Sequence, residues 1–166
     1  MAAGPFIFPD KAKLNFFSAT DLLNTANTFK LALVSSAWTP ANSTDEVWAD
    51  VSANEITAAN GYSAGGITLT NDALTQTSGV VKFTCDAAVW TASGGSIAAW
   101  RRGVVYASGT LNGKVNPIVG HFLGDSTPTD SSALRMNSAY ICLPLSGTRP
   151  LRQLRGRWHL RDMRLL

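Results

Sequence analysis

Apolar and polar positions alternate with a period of two in three places along the chain. The clearest is Thr28–Val34, where Phe29, Leu31 and Leu33 alternate with Lys30 and Ala32. Ile67 and Leu69 alternate with threonines over residues 66–70, and Val81, Phe83 and Cys85 alternate with Lys82, Thr84 and Asp86. Successive side chains of a strand point to opposite faces, so this pattern predicts half-buried strands. The apolar, β-branched stretches 97–107 and 116–123 read as two more, with Asn112-Gly113 as a hairpin turn between them. Residues 54–57 read as a short strand. Turns are expected at Asn60-Gly61, Gly65-Gly66 and Ser93-Gly94-Gly95. Trp38-Thr39-Pro40 ends the first strand, because proline donates nothing to a ladder. Ser43 or Thr44 is expected to cap a short turn over 43–51, with Asp45 and Glu46 in its first turn. A helix is predicted only over 9–17, where Pro9 suits a first turn and Leu14 and Phe17 share a face. The sum predicts a mainly β fold, an antiparallel β-sandwich or barrel with a short N-terminal helix.

Composition narrows the class. The 166 residues suit one domain. Hydrophobic residues make up 45% and charged residues 15%, against ~25% charged in an average domain, which is the reverse of a disordered chain. Such a surface fits a subunit that buries much of its exterior in an assembly. The net charge of +3 conceals an asymmetry: residues 1–134 carry seven Lys/Arg and ten Asp/Glu, and residues 135–166 carry seven Arg and one Asp. The basicity belongs to the tail, so a whole-surface case for nucleic acid fails. Three regions are expected: an N-terminal arm with the short helix (1–20), a β domain (21–134) and an Arg-rich extension (135–166). Residues 1–9 lack a basic n-region and a long apolar run, and no stretch approaches ~20 apolar residues, so neither a secretory leader nor a membrane partner is expected.

Candidate chemistry is sparse. Cys85 lies in the apolar phase of a strand and reads as a buried thiol, its pairing with Cys142 left open. No CxxC or His-ligand spacing exists, so neither metal nor cofactor is expected. Asp45, Glu46, Asp50 and Glu55 form the one acidic cluster, without EF-hand order, and read as a solvated loop face. His121 reads as a satisfied or surface histidine, and Arg101-Arg102 as a solvated strand end. Trp38 and Trp48 read as core; Trp90 and Trp100 divide evenly between core and interface. Gly61-Tyr62-Ser63-Ala64-Gly65 matches the G-x-S-x-G nucleophile elbow, which needs a buried strand before it and a helix after it. Ala58-Ala59-Asn60 precedes it and a strand pattern follows, so Ser63 reads as a turn residue. A serine hydrolase using Ser63 is a distant third reading.

Several motifs stand in order: Phe8-Pro9-Asp10-Lys11-Ala12-Lys13-Leu14-Asn15, then residues 28–40, then 48–56, then Gly61-Tyr62-Ser63-Ala64-Gly65-Gly66, with Val89-Trp90-Thr91, Val104-Val105-Tyr106 and Pro117-Ile118-Val119-Gly120-His121-Phe122 after them. Over residues 6–130 the chain resembles a family of small proteins encoded in the virion-structure modules of tailed phages and prophages. The resemblance implies a non-enzymatic virion component, a capsid decoration (cement) protein in the first place and a tail, neck or fibre subunit in the second. It implies the major capsid protein or other virion proteins as partners, a homo-oligomer, and location in the virion after assembly in the host cytoplasm. The interface is expected at Phe6, Phe8, Phe16 and Phe17, since so apolar a terminus must dock somewhere, and at Arg152, Arg155 and Trp158 in the tail. A protein partner is favoured over nucleic acid for that tail. The family closes with an apolar-alternating strand, whereas residues 134–166 lack a clear period. They read either as a basic arm across neighbouring subunits or as the product of a shifted reading frame.

Overall fold

The computed structural model describes residues 6–7, 9, 12, 26–77, 80–124, 133–136 and 141–144. Among them lie β1 (Phe6–Ile7), β2 (Thr28–Val34), β3 (Ile67–Thr68), β4 (Ala73–Thr77), β5 (Val80–Thr84), β6 (Ala88–Thr91), β7 (Arg102–Ser108), β8 (Thr110–Leu111), β9 (Lys114–Val115), β10 (Ile118–Leu123), β11 (Ala133–Met136) and β12 (Ile141–Pro144). The protein is mainly β, as the period-two segments predict. Among the described residues its largest unit is an antiparallel sheet in the order β1-β10-β7-β2-β3, with β1 and β3 at the two ends. Smaller antiparallel units are β12-β5-β4, β11-β6 and the hairpin β8-β9. Of the predicted helix over 9–17, only Pro9 and Ala12 fall among the described residues, and both are buried.

The large sheet is buried on both faces. On one face Phe29, Leu31 and Leu33 of β2 meet Val105 and Ala107 of β7, and Phe83, Trp90, Ile97 and Trp100 pack over them. Phe29 and Phe83 meet edge to face, ring centroids 4.9 Å apart, a geometry worth about 0.5–1.5 kcal/mol beyond simple burial. On the other face Ala32 and Val34 join Val104, Tyr106 and Ile118 beneath Trp38, Trp48 and Val51. Register explains the division, since Leu31 pairs with Val105 and Ala32 with Val104. All four tryptophans at 38, 48, 90 and 100 are therefore core residues.

Four local expectations are revised. Within 97–107 the strand begins only at Arg102. Ile97 and Trp100 are buried while Ala98 and Ala99 are exposed, because the chain first drapes over the core before its Arg101 N–H donates to Val34 O at 2.8 Å. Residues 54–57 give one isolated bridge, Glu55 to Val34, in place of a strand. The turn in 43–51 is a 3-10 turn at Trp48–Asp50, entered at Val47 and not at Ser43 or Thr44. Asp50 does the capping from inside, its Oδ2 accepting the N–H groups of Glu46 and Val47 at 2.9 Å each. Finally, β11 and β12 lie in the stretch whose sequence has no clear period. Their partners β6 and β5 supply the template there, with Leu134 opposite Trp90 and Ile141 opposite Phe83.

Candidate functional site

The G-x-S-x-G segment is a closed turn. Gly66 has φ +75° and passes so close to β2 that a Cβ would sit 2.0 Å from Leu31 O, so only glycine fits. Gly66 N–H donates to Ser63 O at 3.0 Å, and the strand β3 follows at once. Ser63 is exposed, with neither a strand before it nor a helix after it. The arrangement lacks the strained strand-to-helix geometry that exposes a nucleophile.

Glu55 holds that turn in place. Its Oε1 accepts from Tyr62 Oη and from Gly65 N–H, each at 2.7 Å. Tyr62 Oη in turn accepts the Leu33 N–H at 3.0 Å, and Tyr106 Oη donates to Gly65 O at 2.7 Å. Burial pushes the Tyr62 phenol far above its ordinary range, with Glu55 adding to the shift. Burial, then the charge of Glu55, pushes Tyr106 up to about 12. Both phenols stay protonated at any physiological pH and serve as fixed donors. This network joins β2, β7 and the turn, and period-two reading does not reveal it. The only signal in the sequence is an acidic residue and two tyrosines near a glycine-rich turn.

The acidic loop is equally occupied. Asp45 Oδ2 accepts from Trp38 Nε1 at 3.2 Å and from Ala41 N–H at 2.8 Å. Glu46 pairs with Lys114 at 2.9 Å, a partly exposed ion pair of small worth. Among the described residues no group of three or more His, Cys, Asp or Glu is placed to hold a metal ion. The loop lies over β10 through Trp48 N–H, which donates to Asn116 O, and Ile118 N–H, which donates to Glu46 O.

Beneath it is His121, 2% exposed. An irregularity between Ile118 and Gly120 in the β10–β7 register sets His121 opposite Val104, on the face of Trp38. Its ring meets the Trp38 indole edge to face at 5.3 Å, and Nε2 lies 3.0 Å from Asn42 Oδ1, which requires the proton on Nε2. Nδ1 is buried and finds no hydrogen-bond partner among the described residues. Burial, reinforced by Arg102 and opposed by Asp45, lowers its pKa to about 4. A neutral histidine hydrogen-bonded to an amide is a packing element, and among the described residues no carboxylate hydrogen-bonds to it.

Of the expected interface residues, the structure places Phe6. It sits half-buried in β1, its ring 6.4 Å from that of Phe122 and directly over Gly120, where a Cβ would fall 2.2 Å from it. Its neighbour Ile7 is 37% exposed at the end of the sheet. Phe8, Phe16, Phe17, Arg152, Arg155 and Trp158 lie outside the described residues. Compared with protein-family models, with curated proteins and with solved structures, the chain matches none. The site is thus defined by its own geometry: the strand β1, paired on one side only among the described residues and anchored by an aromatic ring, with the exposed Ile7 beside it. Val115 on the β8-β9 hairpin, 61% exposed, is the other large apolar group at the surface among the described residues.

Proposed function

We propose that this chain is a non-enzymatic structural component of a tailed-phage virion, a decoration protein that binds the capsid lattice and reinforces it. The observation that carries the reading is β1, an edge strand among the described residues. Phe6 anchors it on β10, while Ile7 stays exposed on the outer edge of the sheet. An edge strand offers backbone donors and acceptors to an incoming chain, and an exposed apolar side chain adds area to the contact. The resemblance over residues 6–130 supports the same reading. So does the use made of the polar groups: Tyr62 and Tyr106 tie the glycine-rich turn to the sheet, Glu55 holds that turn, and Asp45 and Asp50 brace the 38–50 loop from within. A lattice protein gains strength from many weak contacts summed over copies, and a rigid frame limits the entropy lost in each. Its partner on this reading is the major capsid protein or another virion protein, together with further copies of itself.

The test is electron microscopy of purified particles carrying a labelled copy of the protein. Label spread over the shell is the expected result. Label confined to the tail, neck or fibres, or absent from particles, overturns the decoration reading.

A further inference from the structure

The chain contains two Asn-Gly pairs, Asn60-Gly61 and Asn112-Gly113, and the fold treats them differently. Such a pair is chemically self-reactive, because glycine carries no side chain to keep its amide nitrogen away from the preceding carboxamide carbon. Both asparagines adopt left-handed backbone, φ 53° and 49°. The surroundings differ. Asn60 Nδ2 donates to Ser96 O at 2.8 Å, and Asn60 O accepts the Ser93 N–H at 3.2 Å. Its carboxamide is walled by Gly95, where a Cβ would lie 2.9 Å from Nδ2. Gly61 is pressed on β6, where a Cβ would lie 2.0 Å from Thr91 O. Carboxamide and attacking amide are both pinned between loops.

Asn112 has none of this. It is exposed at the tip of a hairpin whose two strands, β8 and β9, have two residues each. Its carboxamide makes no hydrogen bond among the described residues, and a Cβ at Gly113 would meet nothing within 4 Å. A tip tied by so few pairs opens locally at little cost. We propose that Asn112 is a site of spontaneous deamidation in the folded protein, and that the fold protects Asn60 from the same reaction. The Gly113 amide nitrogen attacks Asn112 Cγ; the new N–Cγ bond forms, the Cγ–Nδ2 bond breaks, and ammonia leaves with the amide proton. Water then opens the cyclic imide. Hydrolysis at Cγ gives aspartate, and hydrolysis at the main-chain carbonyl gives isoaspartate. No electrons change hands.

The consequence falls on the hairpin. Isoaspartate adds a methylene to the main chain inside a turn set by two pairs, Thr110 with Val115 and Leu111 with Lys114. Either product places a new carboxylate two residues from Lys114, whose partner is Glu46. The tip and its exposed Val115 are thus altered with age, while the large sheet is left alone.

Peptide mapping by mass spectrometry tests this on the full chain, held at mildly alkaline pH both folded and in urea. In the folded protein Asn112 is expected to convert at least about tenfold faster than Asn60, since positioning of reacting groups alone is worth factors of that size. In urea the two rates should converge. Equal rates in the folded protein, or faster conversion at Asn60, would overturn the proposal. So would a preference that survives in urea, or a folded Asn112 that stays intact while the unfolded chain converts.

Discussion

Tyr62 and Leu33 are joined by a 3.0 Å hydrogen bond in which the phenol oxygen accepts a strand N–H, and the same oxygen donates to Glu55 at 2.7 Å. Tyr62→Phe therefore leaves the Leu33 N–H unpaired in the core and removes one donor from Glu55. An orphaned buried donor costs about 1–3 kcal/mol, which is the loss expected in urea unfolding, with the β circular dichroism retained. A loss below about 0.5 kcal/mol, the size of an ordinary surface change, would refute the network's role.

Phe6 and Gly120 form one fitted unit. Phe6→Ala removes the anchor of β1, and Gly120→Ala drives a methyl into the ring and towards Ile7 O. Each change should destabilise the protein. The double variant should lose less than the two losses added together, by at least about 0.5 kcal/mol, as residues in direct contact do. Strict additivity would show that β1 does not rest on β10 through this pair.

Stability should fall in acid through His121. Its folded pKa is depressed from 6.5 to about 4, so between those values the unfolded chain binds the extra proton. Stability from this residue is full above pH 6.5, declines as pH falls towards 4, and changes no further below. At about 1.4 kcal/mol per pKa unit, the loss across the window is on the order of 3 kcal/mol. Urea titrations at several pH values, compared with His121→Gln, check it. The variant should have a flatter slope between pH 4 and 6.5; an unchanged slope assigns the acid sensitivity to carboxylates.

Ile7→Glu separates binding from folding. A partly exposed side chain changes stability little, within about 0.5 kcal/mol. On the proposed capsid-binding reading, attachment to capsids lacking this protein should nonetheless drop, because a charge then sits on β1. Unimpaired attachment would remove β1 from the interface.

The tail gives a fifth test. Removing residues 149–166 deletes Arg152, Arg155 and Trp158 together. Attachment to bare capsids from low to high salt distinguishes an arm held by apolar burial, which salt does not screen, from one held by charge. Equal attachment with and without the segment marks it as dispensable.

The sequence made the central sheet legible where one strong signal sufficed. Thr28–Val34 was readable to the residue, since Phe29, Leu31 and Leu33 all enter one core. The turns at Asn60-Gly61 and Asn112-Gly113 were readable because left-handed backbone favours Asn and Gly. Other elements depend on contacts distant in sequence. β4, reading Ala-Leu-Thr-Gln-Thr, has little apolar alternation and owes its place to β5. β11 and β12 likewise follow their partners. The second core is legible only in part: the sequence predicts Trp38 and Trp48 to be interior, but their covering of a second sheet face requires the register of Ala32 with Val104. The acidic cluster predicts a solvated loop face for Glu55, and nothing local reveals that it reaches both Tyr62 and Gly65.

The pairing of β2 with β7 has a consequence for synthesis. Residues 28–34 find their main partner in residues 102–108, so the centre of the sheet stays unmade until the later segment has left the ribosome. At about 5–20 residues per second, that interval lasts several seconds. Until then β2 has apolar groups on both sides and at most the two residues of β3 as a mate, the kind of segment that associates with its own copies. Chains made side by side on one message are therefore at greatest risk before the hundredth residue, and shielding of β2 by a chaperone over that interval should raise the yield of soluble protein.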